Sequence, residues 1–160
     1  MALNYPYRVF RYQVTMDGIG RASFSEVSGM SMSTQVVEYR EGDDPRMTPR
    51  KLTGLTTFSN VTFRWGQSTD ADFLQWIASV APDNSQGPKG IVRHNITVTL
   101  ISDDGKTGPS WTLINCWPVS YTAPNLNALG NEVAIASLEV CCEGMWHTPG
   151  GTKAGPASPV

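Results

Sequence analysis

The stretch EYREGDDPRMTPRK, Glu38–Lys51, holds eight charged residues: Glu38, Arg40, Glu41, Asp43, Asp44, Arg46, Arg50 and Lys51. Four are acidic and four basic, so the block is locally neutral. The whole chain has only 12 Lys+Arg and 14 Asp+Glu, so nearly a third of its charge is gathered here. Gly42, Pro45 and Pro49 interrupt regular structure across the block. On one side Met32–Arg40 reads as a strand, with β-branched Thr34, Val36 and Val37. On the other, Val61, Phe63 and Trp65 alternate with Thr62 and Arg64, a clean half-buried strand. The expectation is a wide hairpin of Met32–Arg40 with Val61–Trp65, tipped by the charged block. Such a loop packs poorly within its own domain and suits salt bridging to another copy of the same surface.

Further out, Arg8–Thr15 reads as a strand with Phe10, Tyr12 and Val14 on one face. Met16–Gly20 carries an Asp-Gly turn signal, and Ala22–Val27 reads as a short strand broken by Ser28-Gly29. One segment is helical. Ser68 or Thr69 caps it, Asp70 and Asp72 occupy its first turn, Phe73, Trp76, Ile77 and Val80 form its apolar face, and Pro82 stops it. Asn84–Gly90 is a loop. Arg93–Ile101 and Ser110–Trp117 are strands joined through Ser102–Gly105. Pro118 limits the second, and Val119–Thr122 is a short extension. Pro124–Gly130 is a loop or single helical turn. Glu132–Glu143 is the longest expected strand, with Ala134, Ala136, Leu138, Val140 and Cys142 facing one way. Residues 1–146 form one domain ending on Trp146, and 147–160 a flexible Gly/Pro-rich tail. Strands, one helix, then strands make a mainly β fold: a β-sandwich or barrel-like subunit with one flanking α-helix.

At 160 residues the chain can bury a core without disulfides or metal. A net charge of −2 argues against general binding to a phosphate backbone. No apolar run is long enough to span a membrane, and the N-terminus carries no signal-peptide pattern. Three cysteines, two of them adjacent at Cys141 and Cys142, read as free thiols packed as small apolar groups.

The sequence offers little chemistry. His94 starts a strand beside Arg93 and reads as solvated; His147 opens the tail; no metal site is expected from the pair. There is no nucleophile elbow, phosphate-binding Gly-rich loop or H-E-x-x-H. The acidic pairs Asp43-Asp44, Asp70/Asp72 and Asp103-Asp104 suit a charged loop, a helix start and a turn. Asp103-Asp104-Gly105 lacks the rest of a calcium loop. Trp65, Trp76, Trp111 and Trp117 read as core. No catalytic residue, cofactor or metal ligand is expected.

Several segments, taken in order, carry a resemblance. They are Phe24–Gly29 (FSEVSG), Glu38–Gly42 (EYREG), Arg50–Leu55 (RKLTGL), Asn60–Phe63 (NVTF), Asn131–Ile135 (NEVAI), Leu138–Val140 (LEV) and Glu143-Gly144. Over residues 5 to 145 the chain resembles the tail tube (inner tube) proteins of contractile phage tails and phage-tail-like contractile injection systems. It departs from the family pattern at Trp65 before Gly66, at Ala136 and at Cys142.

The resemblance implies a structural subunit, not an enzyme. Six copies would form a ring, their strands joining edge to edge, and rings would stack into a hollow conduit driven by a contractile sheath. The implied partners are the chain itself, the sheath protein, baseplate and spike, tube-initiator or terminator proteins, and effectors or DNA in the lumen. No membrane insertion by the subunit is implied. Assembly would occur in the bacterial cytoplasm, within a particle that can be released. The eight charged residues of the block would then set register between rings or subunits. The rival readings are a shed tube or effector carrier of the type VI secretion kind, and a carbohydrate-binding β-sandwich.

Overall fold

Val61, Phe63 and Trp65 are buried and the residues between them are not, so β6 (Val61–Gly66) forms one wall of the core as its alternation predicts. The computed structural model describes residues 6–17, 20–66, 71–80 and 92–150. In chain order the remaining elements are β1 (Tyr12–Met16), β2 (Gly20–Ala22), β3 (Glu26–Ser28), β4 (Met32–Tyr39), β5 (Arg50–Phe58), α1 (Ala71–Val80), β7 (His94–Ile101), β8 (Thr107–Thr122), β9 (Ile135–Cys141) and β10 (Gly144–Thr148). An eight-stranded antiparallel path runs β2-β1-β7-β8-β9-β6-β3, with β10 alongside β8. It does not close. β4 and β5 form a separate two-stranded sheet.

The path folds over itself at β8. The first part of β8 pairs with β7 and β10, and the last part, Trp117–Thr122, pairs with β9. Asn115 lies at the β7–β8 register shift just before the change, at a φ of 51°. Its Nδ2 donates to Glu143 Oε2 at 3.0 Å, and its backbone N donates to Asn95 Oδ1 at 3.0 Å. Glu143, at the β9–β10 break, also pairs with Arg93. These polar groups pin the corner at which one sheet becomes two layers, as strands that switch sheets do at a bend. Val14, Met16, Ile96, Val98, Leu113 and Cys116 from one layer join Val61, Phe63, Trp65, Ala136, Leu138 and Val140 from the other in one buried cluster. Each large side chain so buried contributes about 1.5–3 kcal/mol. Helix α1 adds Trp76, whose Nε1 donates to Val92 O at 2.9 Å.

The mainly β fold with one helix is as expected, and Ala136, Leu138, Val140 and Cys142 do share the buried face. Several boundaries differ. β4 does not pair with β6. Arg50–Phe58, not anticipated as a strand, takes that place, while β6 pairs with β3 and β9. β1 starts at Tyr12, and Phe10 is exposed. Ala22–Val27 is divided between β2 and β3. β8 continues through Pro118 because the register shifts there, which spares the missing N–H. β8 is therefore the longest strand and β9 is shorter than expected. His94 is half-buried with its ring edge-on to Trp76 at 5.6 Å, not solvated. β10 reaches Thr148, and His147 stacks on Trp111 at 5.1 Å. The expected helix cap at Ser68 or Thr69, Gly18 of the first turn, the 84–90 loop and residues 151–160 lie outside the described residues.

Candidate assembly surface

Every residue of β4 is exposed, and β5 is exposed except at Gly54 and Phe58. Val36 and Val37 are neighbours on a strand and therefore point to opposite faces. Their exposures of 62% and 48% mean that neither face of the ribbon is covered. Tyr39, Leu52 and Leu55 are exposed beside them. Two strands without a packed face are marginal in water, and long unpaired edges invite pairing with another chain.

The ribbon is the outer half of one long hairpin. The register Glu26↔Arg64, Val27↔Phe63 and Ser28↔Thr62 continues as Met32↔Phe58, Ser33↔Thr57 and Thr34↔Thr56. Between the halves, Gly29 adopts a φ of 86°, and a Cβ there would lie 2.7 Å from Asn60 O. Only glycine tolerates both. Ser59 Oγ donates to Gly29 O and contacts Ser31 Oγ at 2.7 Å, while Ser59 N donates to Ser31 O at 3.1 Å. Hydroxyl pairs continue up the ribbon, Ser33–Thr57 at 3.1 Å and Thr34–Thr56 at 2.9 Å. A bulge between Thr34 and Val36 shifts the register, so that Val37 faces Leu52, Glu38 faces Lys51 and Tyr39 faces Arg50.

The charged loop is built from within. Arg40 donates from Nε to Arg46 O at 3.0 Å and from Nη2 to Asp44 O at 3.2 Å. Asp44 Oδ1 accepts from Arg46 N at 3.0 Å, and Asp44 Oδ2 lies 3.6 Å from Arg50 Nε. Glu41 O accepts from Asp44 N at 3.2 Å, and its carboxylate accepts from Tyr39 at 3.3 Å. The sequence reading assigned all eight charges outward. Seven of the eight are exposed and Asp44 is half-buried; within the subunit Arg40, Asp44 and Arg50 also brace the loop, and Glu41 is tied to Tyr39. Glu38, Asp43, Arg46 and Lys51 make no side-chain ion pair among the described residues. A mixed-charge loop therefore does organise itself, because two arginines can reach carbonyl and carboxylate oxygens one turn away.

Sequence reasoning missed the apolar part of this surface. The signal was present in Val36-Val37 and Leu55, apolar residues that fit neither face of a half-buried strand. It also missed a cavity of about 340 Å³ at the base of the ribbon, lined by Phe58, Ile114, Asn115, Glu143, Gly144, Met145 and Trp146. Hydrogen bonds from Asn115 and Arg93 hold the Glu143 carboxyl below its usual range. Elsewhere, the three thiols are free, and burial pushes Cys116 and Cys142 up. Among the described residues no group of three or more His, Cys, Asp or Glu is placed to hold a metal ion, and no helix is long and apolar enough to cross a membrane.

The sequence profile of the T4-like virus tail tube protein gp19 family matches residues 8–146. No curated protein matches the chain. Among solved structures, a chain of the PVC sheath–tube complex of an extracellular contractile injection system, in its extended state, is 26% identical. The alignment covers 92% of this chain and 94% of that one, with a TM-score of 0.77. A chain of the PVC sheath/tube terminator structure is 27% identical over 92% of this chain and 99% of that one, TM-score 0.77. Hcp1 from Flavobacterium johnsoniae is 12% identical over 88% and 97%, TM-score 0.51, and shares the fold alone.

Proposed function

Because the chain belongs to the T4-like virus tail tube protein family, we propose that its copies close into hexameric rings that stack as the inner tube of a contractile injection system or contractile phage tail. The chain is a tail tube protein, a structural component that shares its fold with chains of the PVC sheath–tube and sheath/tube terminator structures. In this reading sheath contraction propels the tube, and effectors or DNA pass along its lumen. The subunit breaks no bonds and inserts in no membrane. It is assembled in the bacterial cytoplasm, with sheath, baseplate, spike and terminator as its neighbours, in a particle that can be released.

The observation that supports this most directly is the β4–β5 ribbon, exposed and carrying apolar side chains on both faces. Laid against neighbouring copies, the ribbon gains the packed face it lacks alone. A head-to-tail contact of this kind closes a ring when its rotation closes. Glu38, Asp43, Arg46 and Lys51 then supply charge at contacts between rings or subunits. Isolated surface pairs contribute only about 0–1 kcal/mol each, but each is repeated around every ring. Gel filtration with negative-stain imaging of the purified chain tests the reading. Rings or hollow tubes support it; a stable 17.4 kDa monomer at every concentration removes it.

A further inference from the structure

Met47 is 95% exposed at the tip of the charged loop. The loop backbone on its N-terminal side is braced by Arg40, Asp44 and Arg50, which lowers the ordering cost of a contact made there. Beside it, the Arg46 side chain has no ion pair among the described residues, its backbone N and O being the groups that hold the loop. A braced loop that displays an exposed, unbranched apolar side chain next to a cation without an ion pair offers both to a partner.

The matching recess lies at the other end of the same ribbon. Phe58, Ile114, Met145 and Trp146 give the cavity apolar walls, and Asn115 and Glu143 give it a polar rim with a half-exposed carboxylate. Arg93 and Asn115 each take one Glu143 oxygen, and a carboxylate can accept up to about four hydrogen bonds. Met32, the register partner of Phe58, opens β4; at about 3.4 Å per residue, its eight residues put the tip roughly 25 Å from the cavity. Knob and recess therefore do not meet within one subunit.

We infer that the cavity at Phe58, Ile114, Met145 and Trp146 receives Met47 from a second copy of the chain, with Arg46 of that copy reaching Glu143. The contact is heterologous, tip to base, so each copy offers one of each and the contact propagates from copy to copy. Methionine suits the task because its thioether chain adapts to irregular apolar recesses. The inference rests on the tube reading and names the pair of surfaces that join two copies.

Paired cysteines test it. With Cys141 replaced by Ser throughout, because the other two native thiols are buried, oxidation of an assembled Met47→Cys/Trp146→Cys variant should give a ladder of multimers on non-reducing gels. Either single variant should stop at dimer or below. As a test that leaves the cavity intact, Met47→Asp should lose at least tenfold in assembled material at equal concentration. Tubes that form without a ladder, or a Met47→Asp chain that assembles like the parent, overturn the docking and leave the tube reading standing. Parent protein that neither assembles nor crosslinks overturns both.

Discussion

Asp44 and Arg50 form an ion pair of 3.6 Å across the base of the charged loop, with the Asp44 side chain 7% exposed and that of Arg50 63%. Asp44 also holds the Arg46 N–H. Asp44→Ala removes both contacts, at a local cost of about 1–2 kcal/mol. The expected result is amide exchange at Arg46 roughly tenfold faster, with the core strands unchanged. Assembly should fall with it, because the loop no longer holds its tip in place.

Gly29→Ala places a methyl group against Asn60 O and demands a left-handed backbone of an alanine. The strain is about 1–3 kcal/mol. Thermal unfolding should shift down accordingly, whereas Gly105→Ala, with positive φ but open space around it, should cost less.

Core and ribbon should separate by readout. Leu138 is fully buried, so Leu138→Ala should lose about 2–5 kcal/mol of subunit stability. Val37→Asp and Leu52→Asp alter exposed positions, so the monomer should melt within about 0.5 kcal/mol of the parent. Their expected defect is in assembly, read by sedimentation.

Glu143 gives a pH dependence with a definite sign. Its folded pKa is depressed by the Asn115 and Arg93 hydrogen bonds. Its contribution is therefore fully present above the ordinary carboxyl range and lost as pH falls through the folded value. Melting temperature followed from neutral to acid should drop less steeply in Glu143→Gln than in the parent.

The thiols should differ in native-state alkylation. Cys116 and Cys142 are buried and shifted toward the protonated form, which makes them poor nucleophiles. Half-buried Cys141 should be labelled first by iodoacetamide, as mass spectrometry of peptides would record.

Where period and burial agreed, the sequence was legible. Val61, Phe63 and Trp65 announced β6, and Ala136, Leu138 and Val140 announced β9, because each lies on one side of a single core. β5 was hidden because a strand with neither face buried in its own subunit has no reason to alternate, and its first residues, Arg50 and Lys51, belong to the charged block. The run of β8 through Pro118 was hidden because a bulge and a left-handed Asn115, rather than propensity, allow it. For the proposed assembly surface, the charged block pointed to the loop that caps the β4–β5 ribbon. The division of its charges into loop-bracing and outward sets depends on distances that composition does not carry, as does the cavity at Phe58, which joins β5 to β8 and β10.

Three-dimensional reconstruction of the assembled particle tests the central claim most directly. The account predicts hollow stacked rings in which both faces of β4–β5 are covered by neighbouring copies, with Val36, Val37, Leu52 and Leu55 buried between subunits. Rings in which that ribbon remains bare to solvent, or particles in which this chain forms no tube wall, would contradict it.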